Sequence, residues 1–100
     1  MLKRSGLSPL SVALVDFHDS MEIVISAADD RNPQGVMKAY DDADKKLMVV
    51  ESELNDTSIQ DIRLQLETLK GLAITGNDSS LPGQASRLKA SYVKVYLAKD

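Results

Sequence analysis

The sequence predicts an all-α protein, an up-down-up-down four-helix bundle, on three observations. Apolar residues recur at alternating spacings of three and four along four segments, which is the pattern of an amphipathic helix. The segments are separated by only about three to six residues, which favours antiparallel packing of consecutive helices. No segment alternates apolar and polar residues at a spacing of two, so no sheet is expected. The expected helices span residues 9–29, 33–54, 58–75 and 81–98.

The first helix is expected to begin at Ser8-Pro9, because serine caps a helix N-terminus and proline fits its first position. Leu7 and Val12 have the spacing of a hydrophobic staple across this cap. This start signal favours four helices over the alternative, a three-helix bundle preceded by a loose N-terminal arm. The apolar seam of the first helix comprises Leu10, Leu14, Phe17, Met21, Val24 and Ala28.

The second helix carries the same start signal at Asn32-Pro33. Asp41 and Asp42 each precede a lysine by four residues, with the acid first, which is the favourable order for ion pairs on a helix. A solvated face therefore explains these acids. The seam of the second helix comprises Val36, Tyr40, Ala43, Leu47, Val50 and Leu54.

The third helix is expected to follow Thr57, whose hydroxyl can cap the backbone while Gln60 reaches back in a capping box. Gly76 and the two residues after it tolerate left-handed dihedral angles and should end this helix. The fourth helix has its start signal in Ser79-Ser80-Leu81-Pro82 and is expected to begin at residue 81. The seams comprise Ile59, Ile62, Leu66, Leu69 and Ala73 in the third helix and Leu81, Ala85, Leu88, Tyr92 and Val95 in the fourth.

The composition excludes several classes of function. One hundred residues indicate a single domain, and the absence of cysteine excludes disulfides, zinc-thiolate sites and thiol nucleophiles. A net charge of -3 offers no basic face for nucleic acid. Only four aromatic residues are present, which argues against base-stacking platforms. Nucleic acid is therefore not an expected partner.

The N-terminal region imitates a secretory leader. Lys3 and Arg4 precede an apolar run over residues 7–15, and residues 26–28 imitate a cleavage site. A cluster of charge that includes Asp16, Asp19 and Glu22 interrupts the pattern where a leader should be apolar. No run reaches the roughly 20 apolar residues of a membrane span. We expect a soluble protein without membrane insertion, and both cytoplasm and periplasm stay open.

The single histidine, His18, lies on the flank of the first seam, one turn before Glu22. The two side chains are close enough on a helix to pair locally. A metal site would need further ligands from other helices, and the best placed are Glu51, near the second seam, and Glu67, on a flank of the third helix. The sequence thus leaves two readings of His18: a boundary residue paired with Glu22, or a ligand in a metal site with Glu22, Glu51 and Glu67.

Catalytic patterns are missing from the sequence, so no enzyme is expected. A phosphotransfer histidine would be followed by lysine and glycine at three and four residues, where this chain has Met21 and Glu22. No glycine-flanked serine turn accompanies the histidine, and the glycines do not have nucleotide-binding spacing.

Apolar residues also occur outside the four seams. Contiguous exposed apolar surface marks an oligomer or partner interface, so we expect self-association or docking of a protein partner. The alternative is that each helix is rotated about its axis relative to the orientation that its seam predicts, so that some of these residues are buried. The expected interface residues are Val12, Val15 and Ile23 on the first helix and Leu64 and Leu72 on the third, with Val49, Val93 and Leu97 as further apolar positions.

Residues 39–92 carry the stretches AYDDADKKLMVVESEL, DIRLQLETLKGLAITGN and ASRLKASY. Their order is similar to that in two groups of periplasmic helical bundles, the extracytoplasmic bundle of iron permeases and the soluble cytochrome b type four-helix bundle. This resemblance implies handling of metal or haem outside the cytoplasm. The cytochrome group binds haem through a methionine of the first helix and a histidine of the last. Met21 could stand for the first, but residues 81–100 contain no histidine, so no haem cofactor is expected.

Overall fold

Four helices make up the computed structural model, which describes residues 9–98. No strand occurs in this range, and the predicted helices agree with the observed ones to within one residue at each end. The Ser8 cap, Leu7 and the basic residues Lys3 and Arg4 lie outside the described residues. The helices are α1 (Pro9–Asp29), α2 (Pro33–Glu53), α3 (Thr57–Thr75) and α4 (Leu81–Ala98), with one 3-10 turn at Asp78–Ser80 before α4.

Each helix packs against the next one in the chain, and α4 closes the bundle by packing on α1. The up-down-up-down four-helix bundle is therefore confirmed, with extents of 50, 22 and 19 Å along its principal axes. None of the helices over residues 9–98 has the length and apolar character needed to span a membrane.

The core is built from the four predicted seams. Every seam residue is buried except Leu10 and Leu54, which are half-buried at the ends of their seams and pack against the core. Ala13 and Ile25 of α1 are buried in addition. Burial of each large apolar side chain stabilises the fold by about 1.5–3 kcal/mol before chain entropy is subtracted.

The predicted start of α2 is confirmed, whereas that of α3 is one residue too late. The Asn32 side chain accepts a hydrogen bond from the Gly35 backbone N-H at 3.1 Å. The cap of α3 is Asp56 instead of Thr57, and its carboxylate accepts from the Ile59 N-H at 3.1 Å. A carboxylate can cap the backbone as a hydroxyl does, and its negative charge is also stabilised by the positive end of the helix dipole. The Asp56 carboxylate is therefore preferred over the neighbouring Thr57 hydroxyl.

Two helices end in Schellman motifs, in which a left-handed residue reverses the chain. Gly76 ends α3 as predicted, with φ of 77°, and Asn77 N-H bonds back to Leu72 O at 2.9 Å. Arg31 takes the same place after α1 with φ of 56°, a conformation that glycine adopts more easily. This tight reversal brings α2 directly alongside α1.

Candidate functional site

A groove with a volume of about 320 Å³ runs along the surface between α1 and α4. Its walls combine aromatic rings, apolar side chains and one cation, and they include no serine, threonine or cysteine that could act as a nucleophile. Its lining residues, which define the α1–α4 groove, are Val15, His18 and Met21 from α1 and Lys89, Tyr92, Val93 and Tyr96 from α4.

Aromatic side chains form one wall of the groove. The Tyr92 ring centre lies 5.3 Å from that of His18, 6.0 Å from that of Tyr96 and 6.0 Å from that of Phe17 in the core. The Tyr92 hydroxyl donates a buried hydrogen bond to the Leu14 carbonyl at 2.9 Å, which ties α4 to α1. Burial, with the nearby Tyr96 and an acid of α1, raises the pKa of Tyr92 to about 12. Tyr92 is thus a neutral, fixed part of this wall at physiological pH.

The charged side chains beside the groove do not pair as the sequence suggested. Glu22 Oε2 lies 3.9 Å from Lys89 Nζ on α4, and His18 Nδ1 lies 3.8 Å from Asp19 Oδ1. The predicted pair of His18 with Glu22 is therefore not formed. A full positive charge on the neighbouring helix attracts the Glu22 carboxylate more strongly than an imidazole on the same helix. Both observed contacts are longer than hydrogen bonds.

Glu51 and Glu67 meet on the other side of the bundle, where both bind the guanidinium of Arg63. Arg63 donates to Glu51 through Nη2 at 2.8 Å and through Nε at 3.1 Å, and to Glu67 through Nη1 at 3.2 Å. The same Nη1 also donates to Asp44. These bonds, those to Glu51 first, hold the pKa of Arg63 above its usual range. The two glutamates converge from two helices as the sequence suggested, but on a cation that belongs to the chain.

Tyr40 extends this network toward the core. Its hydroxyl donates to Glu67, and the Lys70 ammonium lies 4.4 Å from the centre of the Tyr40 ring. Burial, followed by the bond to Glu67, raises the pKa of Tyr40 well above its usual value. We define the Arg63 network as Arg63, Asp44, Glu51, Glu67 and Tyr40. It joins α2 to α3.

The four predicted metal ligands therefore fall into two sets, His18 with Glu22 beside the α1–α4 groove and Glu51 with Glu67 in the Arg63 network. Across residues 9–98, no group of three or more histidine, aspartate and glutamate side chains is arranged to hold a metal ion. Arg63 precedes Glu67 by four residues, a spacing at which helical side chains form ion pairs, so this contact was predictable from the sequence. Metal binding by these residues stays a prediction.

The expected interface residues are exposed with one exception. Val12, Val15, Ile23 and Leu64 are between 47% and 62% exposed. Leu72 is half-buried and packs against the core, so only part of its side chain is open to a partner, and its place in an interface stays a prediction. The flank of α3 that carries Leu72 turns toward the bundle. Apolar exposure that the sequence did not reveal occurs at Met37, Met48, Ile74 and Tyr96.

Pairs of polar side chains fasten neighbouring helices to each other. The Ser20 hydroxyl on α1 donates to Asp42 on α2, and the Ser91 hydroxyl on α4 donates to Asp61 on α3 at 2.6 Å. The bond from Ser91, together with one from Gln65, lowers the pKa of Asp61. Both serines are buried, and both hydroxyls are committed to these bonds. These pairs fix the register of the helices.

Replacement of Ser91 with alanine is expected to raise the pKa of Asp61 toward its usual value, because the carboxylate loses its first hydrogen-bond donor. A carboxyl whose pKa is lowered by folding adds stability above the pKa of the unfolded chain, about 3.9, and this stability is lost as the pH falls through the folded pKa. Titration of the Asp61 carboxyl carbon by NMR measures the change. Ser86→Ala, an exposed change on the same helix as Ser91, is the control, and an unaltered Asp61 titration in Ser91→Ala would contradict the assignment.

Comparisons of the chain with protein-family models, with curated proteins and with solved structures return no match. The resemblance to periplasmic bundles therefore stays a prediction. A four-helix bundle hosts many unrelated functions, so its function has to be inferred from the surface and the site.

Proposed function

We propose that this protein is a non-enzymatic interaction module that self-associates through one face of its bundle. The α1–α4 face consists of the α1–α4 groove together with Val12 and Leu97, which lie one helical turn beyond Val15 and Val93. Exposed apolar side chains on this face carry the proposal, and their exposed fractions are Val12 47%, Val15 48%, Val93 40%, Tyr96 42% and Leu97 66%.

The exposed apolar residues of the α1–α4 face are not scattered singly over the surface, because several of them line one groove. Val15, Val93 and Tyr96 line the same cavity, so apolar groups of two helices are contiguous there. Solitary apolar residues are common on protein surfaces, whereas contiguous ones mark interfaces. In a two-fold dimer each residue of such a face contributes twice. We therefore expect association in the micromolar range, about -8 kcal/mol.

The aromatic wall also suits an interface. Tyrosine is enriched at the centres of interfaces because it buries a large area with few rotatable bonds. Tyr96 is 42% exposed, and its ring stacks on that of Tyr92, which is fixed by its bond to Leu14, so little side-chain freedom is lost when a partner covers Tyr96.

Sedimentation equilibrium between about 1 and 100 µM is expected to show a monomer-dimer equilibrium. Val93→Glu places a charge in the groove wall and is expected to weaken association at least about tenfold, because a buried, unpaired carboxylate is costly. Ile74→Glu is the matched control, since Ile74 is 61% exposed on α3, outside the α1–α4 face. A protein that stays monomeric throughout, or equal weakening by both variants, would contradict the proposal; the first result would leave only a different protein as partner.

A further inference from the structure

The two helices that form the face carry charges of opposite sign. α1 contains four acidic residues and no lysine or arginine, whereas α4 contains three basic residues and no acid. Asp19 is 80% exposed, and Lys89 on α4 is 54% exposed, so charge of each sign reaches the surface beside the groove. The charged residues beside the groove are Asp19 and Glu22 on α1 and Lys89 on α4, whereas Lys94 lies on the other flank of α4, beside Asp61 of α3.

A second copy can cover this face in two symmetric ways. If the two-fold axis lies across the helices, α1 meets the partner's α1 and α4 meets the partner's α4. If the axis runs parallel to the helices, α1 meets the partner's α4, twice. The first arrangement brings acids against acids and bases against bases, while the second brings the acidic helix against the basic one.

We infer, on the basis of the proposed self-association, that the second copy binds with its two-fold axis parallel to the helices, α1 of each copy lying on α4 of the other. Like charges across an interface oppose binding, and opposite charges steer and orient it. The acidic and basic helices meet reciprocally only in this arrangement, so the charge pattern selects it over the alternative.

The heights of individual residues along the bundle agree with this arrangement. Glu22 and Lys89 are 3.9 Å apart within one copy, so they lie at the same level. Rotation about an axis parallel to the helices preserves that level and presents Glu22 to the partner's Lys89. Because 3.9 Å is longer than a hydrogen bond, Lys89 keeps donors for a second carboxylate. Because α1 and α4 run antiparallel, Val15, seven residues before Glu22, lies level with Tyr96, seven residues after Lys89. Both line the groove, so they face each other between copies in the same way.

Site-specific crosslinking distinguishes the two arrangements, because the chain has no cysteine and introduced ones are unique. Val15→Cys and Tyr96→Cys are oxidised separately and as an equimolar mixture, with thermal melts to verify that both fold. We expect disulfide dimers from the mixture at a yield at least about five times that of either variant alone, since only facing Cβ atoms within about 4.5 Å can be bridged.

The possible outcomes separate this arrangement from self-association itself. Efficient crosslinking of either variant alone, or a dimer in sedimentation that the mixture does not crosslink, overturns the arrangement and leaves self-association standing. Absence of a dimer in sedimentation overturns both.

Charge reversal gives an independent measurement on the same dimer. Glu22→Lys and Lys89→Glu are each expected to raise the dimer dissociation constant about tenfold, because two attractive pairs become repulsive. An equimolar mixture of the two variants should return to nearly the affinity of the unaltered protein, as each repulsion becomes an attraction again. Lys45→Glu on α2 serves as the control for a change of net charge. Single variants with unaltered affinity, or a mixture that does not recover, overturn the arrangement.

Discussion

Replacement of Phe17 with alanine is expected to lower the free energy of unfolding by about 3–5 kcal/mol. Phe17 has no exposed surface, and it is the largest of the fully buried side chains. Its ring lies 6.0 Å from the ring of Tyr92, so the cavity would open where α1 meets α4. Domains of this size have total stabilities of about 5–15 kcal/mol, so about a fifth or more of the stability is at stake. Urea denaturation followed by helical circular dichroism measures the loss.

Two further variants control this experiment. Met48→Ala removes apolar atoms from an exposed position of α2, outside the α1–α4 face, and is expected to change the stability by less than about 0.5 kcal/mol. Phe17→Leu keeps the site apolar and is expected to cost less than half as much as alanine, because most of the volume is refilled. A loss below about 1.5 kcal/mol for Phe17→Ala would show that Phe17 is not part of a tightly packed core.

The success of the sequence in predicting the fold has a physical basis in these core positions. Helices of a bundle bury one stripe each, so a spacing of three and four identifies both the helix and its buried face. Phe17 and Met21 follow from this spacing and have no exposed surface. The start of α3 was misplaced because two adjacent side chains, Asp56 and Thr57, could both cap it. Local patterns predict such ends less well than they predict periodic faces.

The candidate site was less predictable, because it depends on which flanks meet. The sequence placed Glu51 and Glu67 beside the seams but could not show that Arg63 stands between them, since that requires the register of α2 against α3. Nor could it show that Val15 and Val93 share one cavity, because they are 78 positions apart in the chain. The acidic character of α1 and the basic character of α4 are visible in the sequence. Their effect on how two copies pair can be argued only when the two helices are known to be neighbours.

Removal of the Arg63 charge is expected to lower the free energy of unfolding by more than the contacts of Arg63 contribute on their own. Three carboxylates surround one guanidinium whose side chain is 22% exposed. The arginine offsets repulsion among the acids as well as pairing with each of them. Exposed ion pairs contribute little, but a half-buried group of acids that loses its cation keeps the penalty of mutual repulsion and lost solvation.

Replacement of Arg63 with methionine is therefore expected to lower the free energy of unfolding by about 2–3 kcal/mol at neutral pH, a value below that for fully buried pairs because the network is partly exposed. The sign of a second change tests this explanation. Glu51→Gln should destabilise the unaltered protein, which loses a hydrogen-bonded ion pair, yet stabilise Arg63→Met by about 1 kcal/mol, which loses a repulsive charge. Lys45→Met, which removes an exposed cation of α2, controls for net charge. Chemical denaturation of the four proteins of this cycle gives the coupling energy, and a destabilising effect of Glu51→Gln in both backgrounds would contradict the role assigned to Arg63.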